Sequence, residues 1–304
     1  MIRDALMKDK EEILAIWKNA YPTKADSFLD LFFHERFDQG KCILVEQDGR
    51  IVSTLQYHEE SMAFSKRLLS IAYLHNLGTI PDYRKRGHMR KLMDATLDEV
   101  NHNYMLSIME AYNPRIYEPF GFEVIYYQKH YNVRPQHLEK VNTVGIEINV
   151  KAEDLLELYL RYTKHFDGYL TRDEAYFEQL IECSKLSNYG LCAYLSPHNQ
   201  IDGYAFYEIV HNEVVIKEII YMESIALLKL MKQVIGNHSN MEVIVSQSEK
   251  LEKVIPLLIP KKMSYMMVRI NNYDLFNKLY NVEVKNVKEA YTLLNKPKFL
   301  NLFY

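Results

Sequence analysis

Apolar positions in the first part of the chain follow two alternating periods, one helical and one extended. Over Lys8–Ala20, Ile13, Leu14, Ile16 and Trp17 share one face of a helix, and a second helix is expected over Lys24–Phe37. Lys41–Glu46 and Ile51–Tyr57 read as strands around Gln47-Asp48-Gly49-Arg50, an Asp-Gly pair suited to a tight hairpin turn. A strand from Leu68 to Ile80 stops at Pro81. The loop Asp82–Gly87 then feeds a helix from His88 to Val100 with Met89, Leu92, Met93, Leu97 and Val100 as its apolar stripe. Tyr104–Glu110 and Phe122–Asn132 are strands on either side of a short helical turn at Pro114–Pro119.

The second half repeats this order. A strand at Gly145–Val150 precedes helices near Glu153–His165 and Arg172–Cys183, followed by strands at Gly190–Leu195, Gly203–Val210 and Val214–Tyr221. A helix at Glu223–Ile235, a strand at Glu242–Ser246, a short helix near Glu249–Leu257 and a strand at Ser264–Ile270 complete it. Both halves read β-α-α-β-β-β-α-β-α-β, an α/β pattern of mixed sheets with an internal repeat of elements rather than of residues. Asn271–Tyr304 is expected to dock as a helical tail.

Composition narrows the class. The 304 residues are 48% hydrophobic and 25% charged, which fits a folded chain that buries a large core without disulfides. Its three cysteines (Cys42, Cys183, Cys192) show no C-x-x-C spacing, so a reducing, cytoplasmic setting is expected. No apolar run approaches the ~18 residues of a membrane span, and Met1–Ala5 carries no signal-peptide core. A net charge of −3 gives no support for nucleic acid. Neither a nucleic-acid nor a membrane partner is expected. His34-Glu35-Arg36-Phe37-Asp38 lacks a second metal-binding histidine, His58-Glu59-Glu60 is an unpaired polar cluster, and no G-x-S-x-G occurs, so no metal is expected.

The junction Pro81-Asp82-Tyr83-Arg84-Lys85-Arg86-Gly87-His88-Met89 is where chemistry concentrates. A helix start exposes unpaired N–H groups and a positive dipole end, which suits a phosphate. Gly87 permits close backbone approach, and the basic side chains add charge-assisted hydrogen bonds. The matching junction of the second half, Tyr221-Met222-Glu223-Ser224-Ile225, has neither glycine nor basic residue. One half could accept an anion and the other could not. Neither a P-loop nor a dinucleotide fingerprint is present. A solvated basic turn and a nucleic-acid patch are the other readings of these residues.

Ile80–Met93 resembles motif A of the GNAT acetyltransferases, a strand, then [QR]-x-x-G-x-[GA], then a helix, which cradles the pyrophosphate of acetyl-CoA. Ile116-Tyr117-Glu118-Pro119-Phe120-Gly121-Phe122-Glu123 is similar to the family's second signature. Met89 replaces the usual small residue, and with the basic run it resembles the Eis (enhanced intracellular survival) group. That group has tandem GNAT halves, of which the first binds acetyl-CoA, and a sterol-carrier-like C-terminal domain.

The resemblance implies a catalytic acetyl-CoA-binding domain at 1–132, a degenerate GNAT-like domain at 133–270 and a remnant of the third domain at 271–304. It implies acetyl-CoA contacts from Leu77, Gly78, Thr79, Arg84, Lys85, Arg86, Gly87, His88, Met89 and Arg90, with Gly78 and Pro81 compatible with a splayed strand. Tyr117 would be the general acid, its phenol matched in basicity to a thiolate leaving group. The Tyr304 carboxylate would be the base, with His75 as runner-up and Glu110 behind it. Asn113 and Tyr112 lie where Eis-like proteins touch the cofactor, although the residue types differ. The acceptor would be a primary amine of an aminoglycoside-like polyamine or a lysine side chain, attacking directly, and Glu35, Asp38, Glu59 and Glu60 could attract such cations. A non-catalytic acyl-CoA sensor or scaffold is the rival class, and the resemblance leaves a homo-oligomer open.

Overall fold

A computed structural model of the protein describes residues 1–22, 26–110, 113–211 and 213–302. In chain order the elements are β1 (Ile2–Asp4), α1 (Lys10–Ala20), α2 (Asp26–Arg36), β2 (Lys41–Gln47), β3 (Arg50–Phe64), β4 (Arg67–Thr79), α3 (His88–Asn103) and β5 (Leu106–Glu110). Next come β6 (Glu123–Val133), β7 (Ile146–Glu147), α4 (Ala152–Thr163), β8 (Gly168–Leu170), α5 (Glu174–Ser184), β9 (Tyr189–Leu195), β10 (Ile201–Val210) and β11 (Glu213–Tyr221). The chain closes with α6 (Ser224–Ile235), β12 (Met241–Ser246), β13 (Lys261–Ile270), α7 (Tyr273–Tyr280), α8 (Val287–Ala290) and β14 (Lys298–Phe299). The mixed α/β class is the one expected.

The chain divides into two compact units. The first comprises Met1–Met62, Arg67–Ile125 and Tyr265–Leu293; the second comprises Ala63–Lys66, Tyr126–Ser264 and the chain from Leu294 onward. In the first unit the strands run β1-β2-β3-β4-β5-β13. The β2–β3 hairpin turns at Asp48 (φ 55°) and Gly49 (φ 73°), the left-handed pair expected of Asp-Gly. β3 runs to Phe64, well beyond its expected end at Tyr57, and turns into β4 at Ser65 (φ 46°) and Lys66 (φ 67°), residues of the second unit, because Ser-Lys carries no turn signal.

On one face of the first sheet, α3 buries Leu92, Met93, Leu97 and Val100 against Ile43, Leu55, Ala72 and Leu74. The helix therefore docks by the stripe its period marks out. Trp17 of α1 is fully buried, donates from Nε1 to Thr54 Oγ1 at 3.1 Å, and is ringed by Phe32, Phe33 and Phe37.

One feature of this sheet shapes the site. β4 and β5 run parallel only through Ile71↔Leu106, Ala72↔Ser107 and Tyr73↔Ile108. β4 nevertheless continues to Thr79, and Asn76 within it has φ 52°, a left-handed residue that bends the strand. Among the described residues no β4–β5 pair follows Tyr73↔Ile108, so the two strands part there and the later backbone of β4 has no ladder to β5.

In the second unit the strands run β6-β12-β11-β10-β9-β7, with β8 and β14 paired beside them. Leu227, Leu230, Met231 and Val234 of α6 enter its core. The helix expected from Arg172 begins only at Glu174, because Asp173 Oδ1 accepts from the Tyr176 N–H at 2.9 Å and caps it. The helix expected at Glu249–Leu257 is reduced to a 3-10 turn at Leu251–Lys253 before Pro256. Among the described residues the C-terminal segment is helical as α7, α8 and a 3-10 turn at Tyr291–Leu293. Its last part is extended, with Lys298 and Phe299 paired to Gly168 and Tyr169, so β8 is a strand that the apolar pattern does not reveal.

Candidate active site

The end of β4 is held by side chains from its surroundings. Tyr21 OH donates to the Leu77 carbonyl at 3.3 Å, Ser53 Oγ to the Gly78 carbonyl at 2.8 Å, and Arg84 Nε to the Thr79 carbonyl at 3.0 Å. Ser53 Oγ also lies 2.7 Å from Thr79 Oγ1. Gly78 passes beneath α1, where an added Cβ would lie 3.1 Å from Ala20 Cβ and 3.3 Å from Ile16 Cγ2. The strand end is thus fixed in place while its edge stays open.

Beyond it the chain makes one 3-10 turn, Pro81–Tyr83, and then twists through two left-handed residues, Lys85 (φ 60°) and Gly87 (φ 82°). Gly87 is the N-cap of α3, and no side chain caps the helix. The first intrahelical bond runs from Lys91 N–H to the Gly87 carbonyl at 3.1 Å, so the amides of His88, Met89 and Arg90 have no intrahelical acceptor. A Cβ on Gly87 would meet nothing within 4 Å, so the space in front of these amides is open.

Arg84, Lys85, Arg86 and Arg90 are exposed, and none makes an ion pair among the described residues. Two are steadied by aromatic faces: the Arg86 guanidinium sits 4.8 Å from the Tyr83 ring centroid and that of Arg90 5.3 Å from Phe120. His88 is only 5% exposed, and neither ring nitrogen has a partner among the described residues. Burial and the neighbouring Lys91 and Arg86 charges lower its pKa, which keeps it neutral. Met89 packs on the core below the loop, which accounts for a large residue there. Open amides, unpaired cations and an unsatisfied buried imidazole fit the diphosphate of a CoA thioester.

Tyr117 follows the 3-10 turn Pro114–Ile116 and rests against the core shared by α3 and β4. Burial raises its pKa, and its hydroxyl makes no hydrogen bond among the described residues. Gly121 (φ 85°) reverses the chain just beyond, where Arg269 Nε donates to the Phe120 carbonyl at 2.9 Å. Tyr21, which sequence reasoning missed, joins this group: its pKa is raised by burial and by the proximity of Tyr117 and Glu110. No motif marks Tyr21; only the α1–β4 contact brings it in. Glu110 accepts from Tyr265 OH. Tyr112 and Tyr304 lie outside the described residues.

His75, two residues past the last β4–β5 pair, has a partner that sequence reasoning did not supply. His58 Nε2 donates to the Arg36 carbonyl at 2.8 Å, because a carbonyl can only accept. Neutral His58 therefore accepts at Nδ1, and His75 Nε2 donates to it at 2.5 Å. The two rings stack at 4.6 Å, and Tyr73 stacks on His75 at 4.8 Å. Burial lowers His58 to a pKa of about 4.

The acidic residues expected to attract a cationic acceptor are engaged nearby. Glu60 pairs with Arg36 at 3.0 Å, Asp38 with Lys10 at 2.6 Å and Glu35 with His34 at 3.1 Å, while Glu59 accepts from Tyr104 at 3.3 Å.

The second unit repeats the parting of parallel strands but not the site. β11 and β12 pair through Val214↔Met241, Val215↔Glu242 and Ile216↔Val243. Past that point Glu218 is buried and bound bidentately by Arg172, at 2.8 and 2.7 Å, and Arg172 also donates to the Asn301 carbonyl at 3.0 Å. The α6 start has no left-handed residue among the described residues. Here the buried cation already has its anion.

Comparison with known proteins finds one domain family twice along the chain. Two acetyltransferase (GNAT) domain models match, one over residues 1–125 and one over 168–270. The chain belongs to the GNAT acetyltransferase family and is a tandem member of it. A probable N-acyltransferase from Enterococcus faecalis has a similar fold, with TM-score 0.75 and 18% identity over 89% of this chain and 72% of that one. A GCN5-related N-acetyltransferase from Anabaena variabilis gives TM-score 0.72 and 16% identity over 90% and 73%. Eis1 from Mycobacterium abscessus gives 0.65 and 13% over 91% and 75%. No protein of curated function matches the chain. The protein is an acetyltransferase. No helix among the described residues is long and apolar enough to cross a membrane, and no group of three or more metal-ligating side chains occurs among them.

Proposed function

We propose that the first unit transfers the acetyl group of acetyl-CoA to a primary amine by direct attack. The observation that carries this reading is the junction of β4 and α3, where uncapped amides, a left-handed glycine and unpaired arginines face open space. Arg84, Lys85, Arg86 and Arg90, with the amides of His88, Met89 and Arg90 behind Gly87, hold the diphosphate. The open edge of β4 at Leu77, Gly78 and Thr79 takes the pantetheine arm. The amine nitrogen forms its bond to the thioester carbonyl carbon, the C–S bond breaks, and Tyr117 gives its phenolic proton to the departing thiolate. The three cysteine thiols are buried and pushed up to about 12, which supports transfer without a cysteine-bound acetyl group.

Two groups compete to take the amine proton. The Eis resemblance favours the Tyr304 carboxylate. The short His58–His75 bond at the parting of β4 and β5 favours His75, whose ring His58 orients by accepting from its Nε2. The acceptor class, an aminoglycoside-like polyamine or a lysine side chain, rests on that same resemblance.

A thiol-release assay over a panel of amines tests the mechanism. Tyr117→Phe is expected to lower kcat about 10²-fold with acetyl-CoA affinity unchanged; an unaltered rate removes Tyr117 from the chemistry. His75→Gln should abolish the acidic limb of the rate profile, where protonation silences the base, if the dyad is the base, whereas loss on deleting Tyr304 alone assigns the carboxylate. A protein that binds acetyl-CoA and releases no thiol with any amine would be a sensor instead.

A further inference from the structure

No membrane partner is expected from the sequence, yet the second unit carries a segment shaped for a lipid surface. Between the 3-10 turn Leu251–Lys253 and β13, Pro256-Leu257-Leu258-Ile259-Pro260 forms a proline-bracketed tip. Leu257 is 94% and Ile259 86% exposed, whereas Leu258 between them is buried in the α6 core with Leu251 and Ile255. The tip is therefore rooted by one leucine and presents two apolar side chains to solvent. Leu257 holds φ 73°, a region that bulky side chains rarely occupy, so the tip keeps a costly backbone conformation at its most exposed residue.

Charge around the tip is mainly positive. Lys250, Lys253, Lys261 and Lys262 are all exposed, and none forms an ion pair among the described residues. The two acidic side chains of the same segment are half-buried and held by tyrosines: Glu249 accepts from Tyr221 OH, and Glu252, whose charge also feels Lys129 and Lys250, accepts from Tyr131 OH at 2.5 Å. What faces outward is two aliphatic side chains among four cations, on a protein whose net charge is −3.

We propose that this tip docks the protein on an anionic lipid surface, with Leu257 and Ile259 entering the interface and the four lysines meeting the head groups. Two aliphatic side chains fall far short of the roughly 800 Å² per partner of a stable protein interface, but they suffice for interfacial insertion when basic residues add attraction. A symmetric second copy would set lysine against lysine. The proposal stands apart from the acetyl-transfer reading, since no residue of that site takes part.

Co-sedimentation of the full-length protein with vesicles tests it, using phosphatidylcholine alone and phosphatidylcholine mixed with phosphatidylglycerol. Binding is expected only to the mixed vesicles, weakened by salt, and reduced about tenfold or more in Leu257→Glu/Ile259→Glu and in Lys261→Glu/Lys262→Glu. Unchanged thiol-release activity in both variants shows that they fold. Equal or absent binding to the two vesicles overturns the proposal, as does wild-type binding by either variant. A fall in molar mass by light scattering in Leu257→Glu/Ile259→Glu, with vesicle binding unaltered, would assign the tip to a second copy.

Discussion

His58 shows how a single side chain can be fixed by groups distant in sequence. Its Nε2 donates to the Arg36 carbonyl at the end of α2, its Nδ1 accepts from His75 on β4, and Phe32 meets its ring edge-on. The titratable and charged groups that face it are Arg36, itself paired with Glu60, and the His75 ring. Its pKa falls from 6.5 to about 4 on folding, chiefly through burial. The unfolded chain therefore binds the proton first, so the stabilisation is fully present above pH about 6.5 and is lost as pH falls toward 4, amounting to about 3 kcal/mol at most. Urea unfolding from pH 7 to 4.5 is expected to show a falling midpoint that flattens in His58→Gln; an identical slope in the variant would assign the loss to other groups. From sequence, His58 reads as part of an unpaired polar cluster and His75 as a lone strand histidine. The spacing of 17 residues contains no sign that two strands of one hairpin bring the rings together.

Elements were legible where one signal dominates. The stripe of α3, the Asp-Gly turn and the loop leading into α3 all follow from local chemistry that the structure leaves intact. The parting of β4 from β5 was only hinted at by Gly78 and Pro81, because the left-handed residue in the strand is Asn76, which any strand could carry. Nor does the sequence tell which sheet Tyr265–Ile270 joins; antiparallel pairing with β5 in the first unit depends on tertiary contacts. In the second unit, β11 is held by the Arg172–Glu218 pair, whose side chains are 1% and 3% exposed. Removing one partner strands a buried charge, so Glu218→Gln is expected to cost about 3–5 kcal/mol in chemical unfolding. Replacing both as Arg172→Met/Glu218→Leu should cost much less, and equal losses would mean that packing rather than charge governs the site.

On the scale of the whole molecule, one architecture is used twice with opposite electrostatic outcomes. In the first unit the cations at the strand–helix junction stay unpaired and outward; in the second the arginine is buried on an internal carboxylate and the matching junction carries no glycine. That difference was readable in the sequence from Arg84–Gly87 against Tyr221–Ile225, whereas the internal anion was not, since Arg172 and Glu218 lie 46 residues apart. The central claim is that the first unit grips a diphosphate through its bared helix start. Calorimetric titration of acetyl-CoA into the wild-type protein and Gly87→Glu tests it most directly, because an added side chain at Gly87 meets open space rather than the core. Measurable wild-type affinity that falls about tenfold or more in the variant is the expected result; equal affinity in the two proteins would contradict the account.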